Sequence, residues 1–535
     1  MAAFAGESSV RGSSEAMRMV LLTFCTIGIT FTWGVEMTYC TPYLLSLGLS
    51  KSNTSMVWIA GPLSGLIVQP VIGVISDENT SKWGRRRPMM VLGAAIVAVA
   101  MLVLGFTKEL VGLLIQDAEA ARVPTIFLAV LAIYVVDFAI NAVMSCSRSL
   151  IVDTLPIEKQ QSGAAWASRM SAIGNVVGYA GGAVDLVRIL GTTFGDTQFK
   201  LLTIIAVVAI LGTTAVTCWA VTEKVLLPDA RRGEARQSSQ DRFQVVTQIY
   251  HTIRHLPPRI RAICWAQFWS WIGWFPFLFY STTWVGETYF RYDAPESAKS
   301  GDTLGDIGRI GSQAFVLSSM ITLTASLVLP LLVRSPDEAT YTQRPHPALA
   351  AVLKICKGSR PDLLTAWICG HVLFAVAMMF APFATSYRFA TTLVCLCAVP
   401  WAIAGWAPSA FLGIEVNKLA SEGGSTYRPL PSQDIEMTVL GEGSSQASTS
   451  SAELSGIYFG ILNVYTTLPQ FVGTFISMIV FGIFEPGKSR ELGADGDKTP
   501  PAAPTGPNAI SICLFIGAMS TIISAVVTRK LRHLE

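Results

Sequence analysis

The chain has 535 residues, of which 51% are hydrophobic and only 14% are charged. This balance is much more apolar than that of a soluble domain and indicates that most of the chain lies in a lipid bilayer. The formal net charge of +3 is small and gives no reason to expect a nucleic-acid partner. The sequence has no metal-ligand spacing, nucleophile–base set or phosphate-binding loop, so we expect neither an enzyme nor a cofactor.

Twelve long apolar stretches recur along the chain. A helix needs about 20 mostly apolar residues to cross the ~30 Å hydrocarbon core of a bilayer. Lipid offers the backbone no hydrogen-bond partner, so these stretches are expected to be helical. We predict an all-α, polytopic membrane protein with spans at about 18–46, 54–76, 89–106, 124–147, 163–186, 201–222, 262–286, 311–333, 362–384, 388–413, 454–483 and 508–528.

Basic residues are concentrated on one side of these spans. They follow the second, sixth and eighth spans, and Arg529, Lys530 and Arg532 lie in the C-terminal tail. Because Lys and Arg in short loops mark the cytoplasmic side, both termini are predicted to be cytoplasmic.

Two polar segments interrupt the apolar pattern. Residues 223–259 form a charged central loop, which separates an N-terminal six-helix half (1–222) from a C-terminal half (260–535). This plan resembles that of the major facilitator carriers, which bind substrate near the midplane between two halves and expose it alternately to either side. The second segment, 418–452, is rich in Ser, Gly, Glu and Thr, and we predict a disordered cytoplasmic loop there.

The loop between the second and third spans carries the most specific local motif. It contains Gly73-Val-Ile-Ser-Asp77 and, after six residues, Gly84-Arg85-Arg86-Arg87-Pro88. This resembles the major facilitator loop signature, in which Gly73 would permit close helix approach and Asp77 would end the helix. The arginines can bridge to carboxylates or to helix C-termini and so latch the outward-open state. The alternative is a simple positive-inside anchor.

Several other blocks share a wider resemblance. The gap between Asp77 and Gly84 is longer than in the general signature, and GPLSGLIVQPVIG precedes it. Further blocks are TYCTPYLLSLGL at 38–49, VVDFAINA at 135–142, GNVVGYAGG at 174–182, WIGWFPFLFYSTTWVGE at 271–287 and GILNVYTTLPQ at 460–470. Together they resemble the sucrose transporter family of plants and fungi and its animal relatives. The resemblance implies proton-coupled symport of sucrose, maltose or a related glucoside.

Two carboxylates lie inside predicted spans, where a charged group is costly and is a functional candidate. Asp137 lies near the middle of the fourth span, with Asn141 and Arg148 on roughly the same helix face. Burial favours the neutral form of a carboxyl group and a nearby cation favours the charged form, so a group that alternates between such settings can carry a proton. Asp137 is our predicted proton carrier, as the resemblance also implies; a static Asp137–Arg148 pair is the alternative.

The second carboxylate is Glu36 in the first span, a position where plant members of the family typically carry no acid. It is predicted to bind sugar hydroxyls, to share the proton, or both, with sugar binding favoured. Arg169 in the fifth span either pairs with Asp137 or Glu36 or reaches to the membrane interface. Asp153 is predicted to join a cytoplasmic charge network of the latch with Arg148 or Lys159.

Sugar hydroxyls need hydrogen-bonding side chains, and the second half supplies two polar stripes at helical spacing. We predict a substrate site formed by Glu36, Asn141, Asn175, Gln267, Trp271, Trp274, Asn463, Thr467 and Gln470. An amide in lipid is costly without a partner, so inward placement is expected. Trp265 and Trp269 are instead interpreted as interfacial belt residues.

The predicted function is therefore inward symport of a proton and a glucoside by a membrane-embedded monomer, in the plasma membrane rather than the vacuolar membrane. Two alternatives use the same spans: an exporter driven by proton antiport, and a sugar sensor that does not transport. A sensor would be expected to carry a large structured extension for signalling, and the longest predicted loops are short in comparison.

Overall fold

The computed structural model describes residues 4–5, 8–77, 79–193, 195–226, 254, 256–294, 303–333, 361–425, 443–485 and 508–534. Nearly all of the described chain is helical, as predicted.

The described residues of the N-terminal half form ten helices, of which eight occupy the first six predicted spans and two short ones lie between spans. Their bounds are α1 Glu15–Thr23, α2 Cys25–Ser46, α3 Lys51–Val57, α4 Ala60–Asp77, α5 Arg87–Gly105, α6 Thr107–Gly112, α7 Ala118–Thr154, α8 Ile157–Ala183, α9 Leu186–Leu190 and α10 Gln198–Ala220. The first span consists of α1 with α2, and the second of α3 with α4.

The C-terminal half repeats this plan over the last six predicted spans. Its helices are α11 Pro258–Thr288, followed by a π-helical turn at Tyr289–Asp293, α12 Thr303–Leu332, α13 Leu363–Met379, a 3₁₀ turn at Ala381–Phe383, α14 Tyr387–Leu396, α15 Ala398–Ser425, α16 Gly443–Phe484 and α17 Ala509–Lys530. The tenth span consists of α14 with α15.

Within the described residues, ten helical stretches are both long and apolar enough to cross a membrane. The other two predicted spans are the helices α8 and α11. The first carries many small and polar residues, and the second carries five tryptophans, which lowers the mean hydropathy of each.

Two short strand pairs tie the N-terminal segment to the chain that follows α10. Strand β1 (Phe4–Ala5) pairs antiparallel with β4 (Val225–Leu226), and β2 (Ser9–Val10) pairs with β3 (Val221–Thr222). Both pairs lie beside the Arg85–Arg87 loop, because the first residue of α5, Arg87, contacts the last turn of α10 and the following Glu223. We call this end of the bundle the arginine end, and the opposite end, which carries Lys51, the lysine end.

The two halves meet toward the lysine end. Helix α8 packs against α12, and α3 packs against α16. Tyr39 of α2 donates a hydrogen bond to the Gly182 carbonyl (2.8 Å), and its ring lies against Gly308 of α12. A side chain at Gly308 would collide with that ring, so this glycine permits close approach of the halves.

Both predicted polar loops are narrower than expected. Strand β4 extends the first half to Leu226, and the second half begins at Pro258. Helix α15 continues to Ser425 and α16 begins at Gly443, so helices cover both ends of the predicted 418–452 loop. Residues 227–253 and 426–442 lie outside the described part of the chain.

Candidate transport site

The two carboxylates predicted from the sequence lie next to each other in the N-terminal half. Glu36 of α2 and Asp137 of α7 are 1% and 3% exposed and are close enough to interact electrostatically. The Trp33 side chain lies near the Asp137 carboxyl group. Among the described residues, both Glu36 oxygens and Asp137 Oδ2 have no hydrogen-bond partner. Such groups are rare in protein interiors and mark this position as a site.

Helix α4 leaves room beside these carboxylates because small residues face α7. A Cβ atom at Gly61 would lie 4.0 Å from Asp137 Oδ2 and 3.8 Å from the Phe279 ring of α11. The Trp58 ring also packs on Phe279, with 4.7 Å between centroids. Gly61 therefore lies between Asp137 of the first half and the Phe279 ring of the second half.

Asn141 connects α7 to α4. Its Nδ2 donates to Ser64 Oγ (2.8 Å) and to the Asp137 carbonyl (2.9 Å), and its Oδ1 accepts from Gln69 Nε2 (3.1 Å). Both amide hydrogens are thus in use. The structure places Asn141 where it holds α4 on α7 beside Asp137, and its side chain is less available to a sugar than the sequence analysis assumed.

The predicted arginine partners lie apart from the carboxylates. Arg169 is exposed on α8, where its guanidinium lies 5.0 Å from the centre of the Trp166 ring. Arg148 is exposed on α7, although Asp137 and Asn141 on the same helix are buried. Neither arginine neutralises Glu36 or Asp137, so the predicted pairing of Arg169 with these acids and the alternative Asp137–Arg148 pair are both absent between these described residues.

The C-terminal half contributes one unpaired amide. Trp271 Nε1 donates to Gln267 Oε1 (3.1 Å), and the buried Gln267 Nε2 has no partner among the described residues. Trp274 packs into an aromatic cluster with Phe374 and Trp401, at centroid distances of 4.2 and 4.9 Å. The predicted stripe therefore divides: Gln267 and Trp271 form one unit, and Trp274 belongs to the core of its half.

The predicted residues on α16 and α8 differ in exposure, and Thr467 of α16 is buried. Asn463 is exposed, and its backbone carbonyl accepts from Thr467 Oγ1 (2.8 Å). Gln470 Nε2 donates to the Thr466 carbonyl (3.0 Å). Asn175 is half-buried on α8. Thr467 and Gln470 each donate a hydrogen bond to a backbone carbonyl of their own helix.

The arginine loop forms a dense ionic cluster within the N-terminal half. Asp153 Oδ2 accepts from Arg85 Nη2 (2.9 Å) and Arg86 Nε (3.0 Å). Arg86 also bonds to Ser76 Oγ and to the Gly73 carbonyl. Helix α4 is described as far as Asp77, the residue predicted to end it, and the Asp77 side chain lies outside the described atoms. Arg148 is not part of this cluster.

Glu223, which the sequence analysis did not identify, completes the cluster. Its carboxylate accepts from the backbone N–H groups of Arg85, Arg86 and Arg87 at 2.8 to 2.9 Å. These are unsatisfied donors at the start of α5, where the helix dipole also favours an anion. Gly84 has φ +112° and a Cβ there would lie 2.7 Å from the Glu223 carboxyl carbon, so only glycine fits.

A second ionic cluster, also missed, joins the two halves at the lysine end. Lys51 Nζ lies 2.8 Å from Glu287 Oε2 and 2.6 Å from Glu485 Oε2. Asn508 Nδ2 donates to Glu287 Oε2 (2.7 Å), and Arg291 lies 3.6 Å from Glu485. Lys51 comes from the N-terminal half and the other four from the C-terminal half.

A further pair between the halves, Arg309 with Asp185 (2.8 Å), also lies at the lysine end. At the arginine end, in contrast, Arg85 and Arg86 pair within the first half, and Arg259 pairs with Glu415 within the second. The described ion pairs between the halves thus hold the lysine end closed.

The family model of the Major Facilitator Superfamily matches residues 22–301, more than half of the chain. The chain belongs to this superfamily and is a transporter, not an enzyme. Solved structures agree on the fold: a D-xylose–proton symporter superposes with a TM-score of 0.54 at 13% identity, over 96% of this chain and 97% of that one. An inward-facing bacterial homologue of the lysosomal transporter Spinster gives 0.55 at 12% identity, over 98% of each chain.

Similar sequences are transporters of sucrose or α-glucosides. The general alpha-glucoside permease of Schizosaccharomyces pombe is 29% identical, over 97% of this chain and 94% of the permease. Sucrose transport protein SUC4 of Arabidopsis thaliana is 30% identical over 57% and 62% of the two chains, and sucrose transport protein SUT5 of Oryza sativa is 24% identical over 92% and 87%. The predicted resemblance to the sucrose and glucoside transporter family is confirmed.

Proposed function

We propose that this chain is a proton-coupled symporter of an α-glucoside such as maltose or sucrose. The observation that carries the proposal is the buried Glu36–Asp137 pair, which forms no ion pair with a described cation and has three carboxylate oxygens without a hydrogen-bond partner among the described residues. The similarity to a general alpha-glucoside permease along nearly the whole chain supports an α-glucoside as the transported substrate.

Asp137 is the proposed proton carrier. Two adjacent carboxyl groups in a low-dielectric interior are strongly unfavourable if both are charged and neither has a cation. The pair therefore holds a proton while it is buried. A sugar that binds between the halves brings hydroxyl groups to Glu36, and opening to the other side hydrates Asp137 and releases the proton.

The proposed sugar site lies between α2, α7, α8 and α11. Glu36 accepts sugar hydroxyls, Gln267 Nε2 donates one hydrogen bond, and Trp271, held by Gln267 Oε1, supplies a flat surface for the sugar ring. Asn175 and Asn463 are more exposed and remain peripheral candidates, whereas Thr467 and Gln470 donate to their own helix and are left out of the proposed sugar site. Trp274 and Asn141 support this site by packing and positioning.

With the lysine end placed outside, its closure by ion pairs between the halves corresponds to an inward-facing arrangement. We place the lysine end outside and both termini in the cytoplasm, as the basic loops indicate. The Arg85–Asp153–Glu223 cluster fixes the ends of α4, α5, α7 and α10 to one another, so the first half rocks as one body. Both halves come from one chain, so one chain suffices for alternating access; we propose that the carrier acts as a monomer in the plasma membrane.

The driving force is sufficient for accumulation. One charge that crosses 100 mV contributes about 2.3 kcal/mol, which corresponds to roughly fifty-fold accumulation when one proton accompanies each sugar.

The test is uptake of labelled maltose and sucrose by proteoliposomes that contain the purified chain, with an imposed inward proton gradient. We expect uptake that collapses with a protonophore and is reduced by unlabelled α-glucosides but not by glucose. Uptake without proton dependence contradicts the symport. Efflux driven by an inward proton gradient would identify an antiporter, and absence of sugar movement with retained sugar binding would identify a sensor.

A further inference from the structure

A cleft lies at the arginine end, between the start of α11 and the end of α17. It has a volume of about 580 Å³, and its lining includes Arg261, Trp265, Trp269, Val527, Lys530 and His533. None of these residues belongs to the transport site. The tryptophans were interpreted from the sequence only as interfacial belt residues.

The floor of the cleft is apolar and fixed in position. Trp265 is 41% exposed, and its ring packs edge-on against Tyr465 of α16 with 5.6 Å between centroids. Trp265 lies seven residues after the first residue of α11, which is about 10 Å along the helix axis. That depth is where tryptophan meets the boundary between lipid headgroups and acyl chains.

The mouth of the cleft is positively charged. Arg261, Lys530 and His533 are all exposed, and none of them forms an ion pair with a carboxylate among the described residues. The neighbouring cations behave differently, since Arg259 pairs with Glu415 (3.3 Å) and Arg532 approaches Asp362 (3.8 Å). Among the described residues, Arg261 and Lys530 thus have no carboxylate partner, and their exposed head groups can be approached by an anion from outside the chain.

We propose that this cleft binds an anionic glycerophospholipid of the surrounding leaflet. The phosphate and the acidic headgroup lie between Arg261 and Lys530, and an acyl chain lies along Trp265, Trp269 and Val527. Basic pockets between membrane helices on the cytoplasmic side recognise such headgroups. An apolar floor beneath a cationic mouth suits an amphipathic lipid better than a free phosphate ion, which would leave the tryptophans uncovered.

The experiment is native mass spectrometry of the full chain after equal exposure to phosphatidylserine and phosphatidylcholine. We expect wild type to retain phosphatidylserine preferentially. The double variant Arg261→Gln/Lys530→Gln is expected to weaken that retention about thirtyfold, because each cation near a lipid surface contributes roughly fivefold. Lys82→Gln/Lys108→Gln, which removes two exposed lysines elsewhere, is the matched control and should bind like wild type.

Three outcomes would overturn the proposal: equal retention of the two lipids by wild type, unchanged retention by the double variant, or full displacement of phosphatidylserine by millimolar inorganic phosphate. The single variant Lys530→Gln, at an exposed position at the end of the last helix, serves if the double variant does not fold. Sugar is not part of the measurement, so its result is independent of the proposed transport function.

Discussion

Lys51 and Glu287 form an ion pair across the two halves of the bundle, with 2.8 Å between Lys51 Nζ and Glu287 Oε2. Their side chains are 3% and 0% exposed. Removing one partner of a buried pair leaves an uncompensated charge at a cost of about 3–5 kcal/mol. The pair therefore favours the arrangement with a closed lysine end over any arrangement that separates the halves there.

The first prediction concerns this closure. Lys51→Met leaves Glu287 and Glu485 without their shared cation, so the lysine end should open more often. A cysteine introduced at the buried Thr54, which lines the same small cavity as Lys51, reports opening through its reaction with a membrane-impermeant maleimide. We expect labelling to accelerate about a hundredfold, which corresponds to roughly 3 kcal/mol.

The matched control is Lys108→Met, which removes an exposed lysine at the same end and should leave labelling unchanged. The double variant Lys51→Met/Glu287→Gln removes both charges, while Glu485 keeps Arg291 nearby. It should recover most of the closure, because replacing both partners of a buried pair is far less costly than removing one. Labelling that stays fast in the double variant would show that the ion pair is not what holds the end closed.

The second prediction separates the roles of the two carboxylates. Glu36→Gln keeps the size of the side chain but weakens its bonds to sugar hydroxyls, so the KM for maltose should rise about tenfold, which corresponds to ~1.4 kcal/mol. The dependence of uptake on the proton gradient should persist. If the variant instead loses that dependence and keeps its KM, Glu36 is the proton carrier and our assignment is reversed.

The third prediction tests the amide in the second half. Gln267→Leu removes the unpaired Nε2 donor and the acceptor that holds Trp271, so the KM for sugar should rise about tenfold, at ~1.4 kcal/mol for a lost hydrogen bond to substrate. Gln470→Leu is the control, because the Gln470 amide already donates to its own helix. Equal effects of the two substitutions on KM would argue against Gln267 as a sugar ligand.

The fourth prediction concerns the arginine end. Glu223→Ala leaves three backbone N–H groups at the start of α5 without their acceptor, and hydrogen bonds to a charged group contribute about 1.5–3 kcal/mol each. We expect the midpoint of thermal unfolding, measured by tryptophan fluorescence in detergent, to fall by about 5–10 °C. Glu15→Ala, which removes an exposed acid paired with Lys159, should change it little. A small effect at Glu223 would mean that water satisfies these donors.

Most of the fold could be predicted from hydropathy, because a bilayer forces each long apolar stretch into a helix. The same reasoning identified Glu36 and Asp137, since any carboxylate inside a span is conspicuous. Arg169 could not be placed in this way. Arginine has a long apolar stem and a charged head, so it can point toward a cavity or toward the membrane interface. The structure places the Arg169 guanidinium over the Trp166 ring.

The two ionic clusters escaped the sequence analysis for a different reason. Lys51 and Glu287 are 236 residues apart, and each lies at the end of a span where charged residues are ordinary. Glu223 follows strand β3, just after α10, and is predicted from the sequence to be the first residue of a charged loop. A single sequence contains no signal that pairs such distant ends, and only the packing of the two halves brings them together.

The central claim is that Asp137 carries the proton that accompanies the sugar. Its most direct test is the sugar-induced proton movement into proteoliposomes, recorded with a pH-sensitive dye inside, for wild type and for Asp137→Asn. We predict that maltose added outside acidifies the interior in wild type. Asp137→Asn should give no such acidification while it still exchanges labelled for unlabelled maltose. Sugar-induced acidification by Asp137→Asn equal to that of wild type would contradict the account.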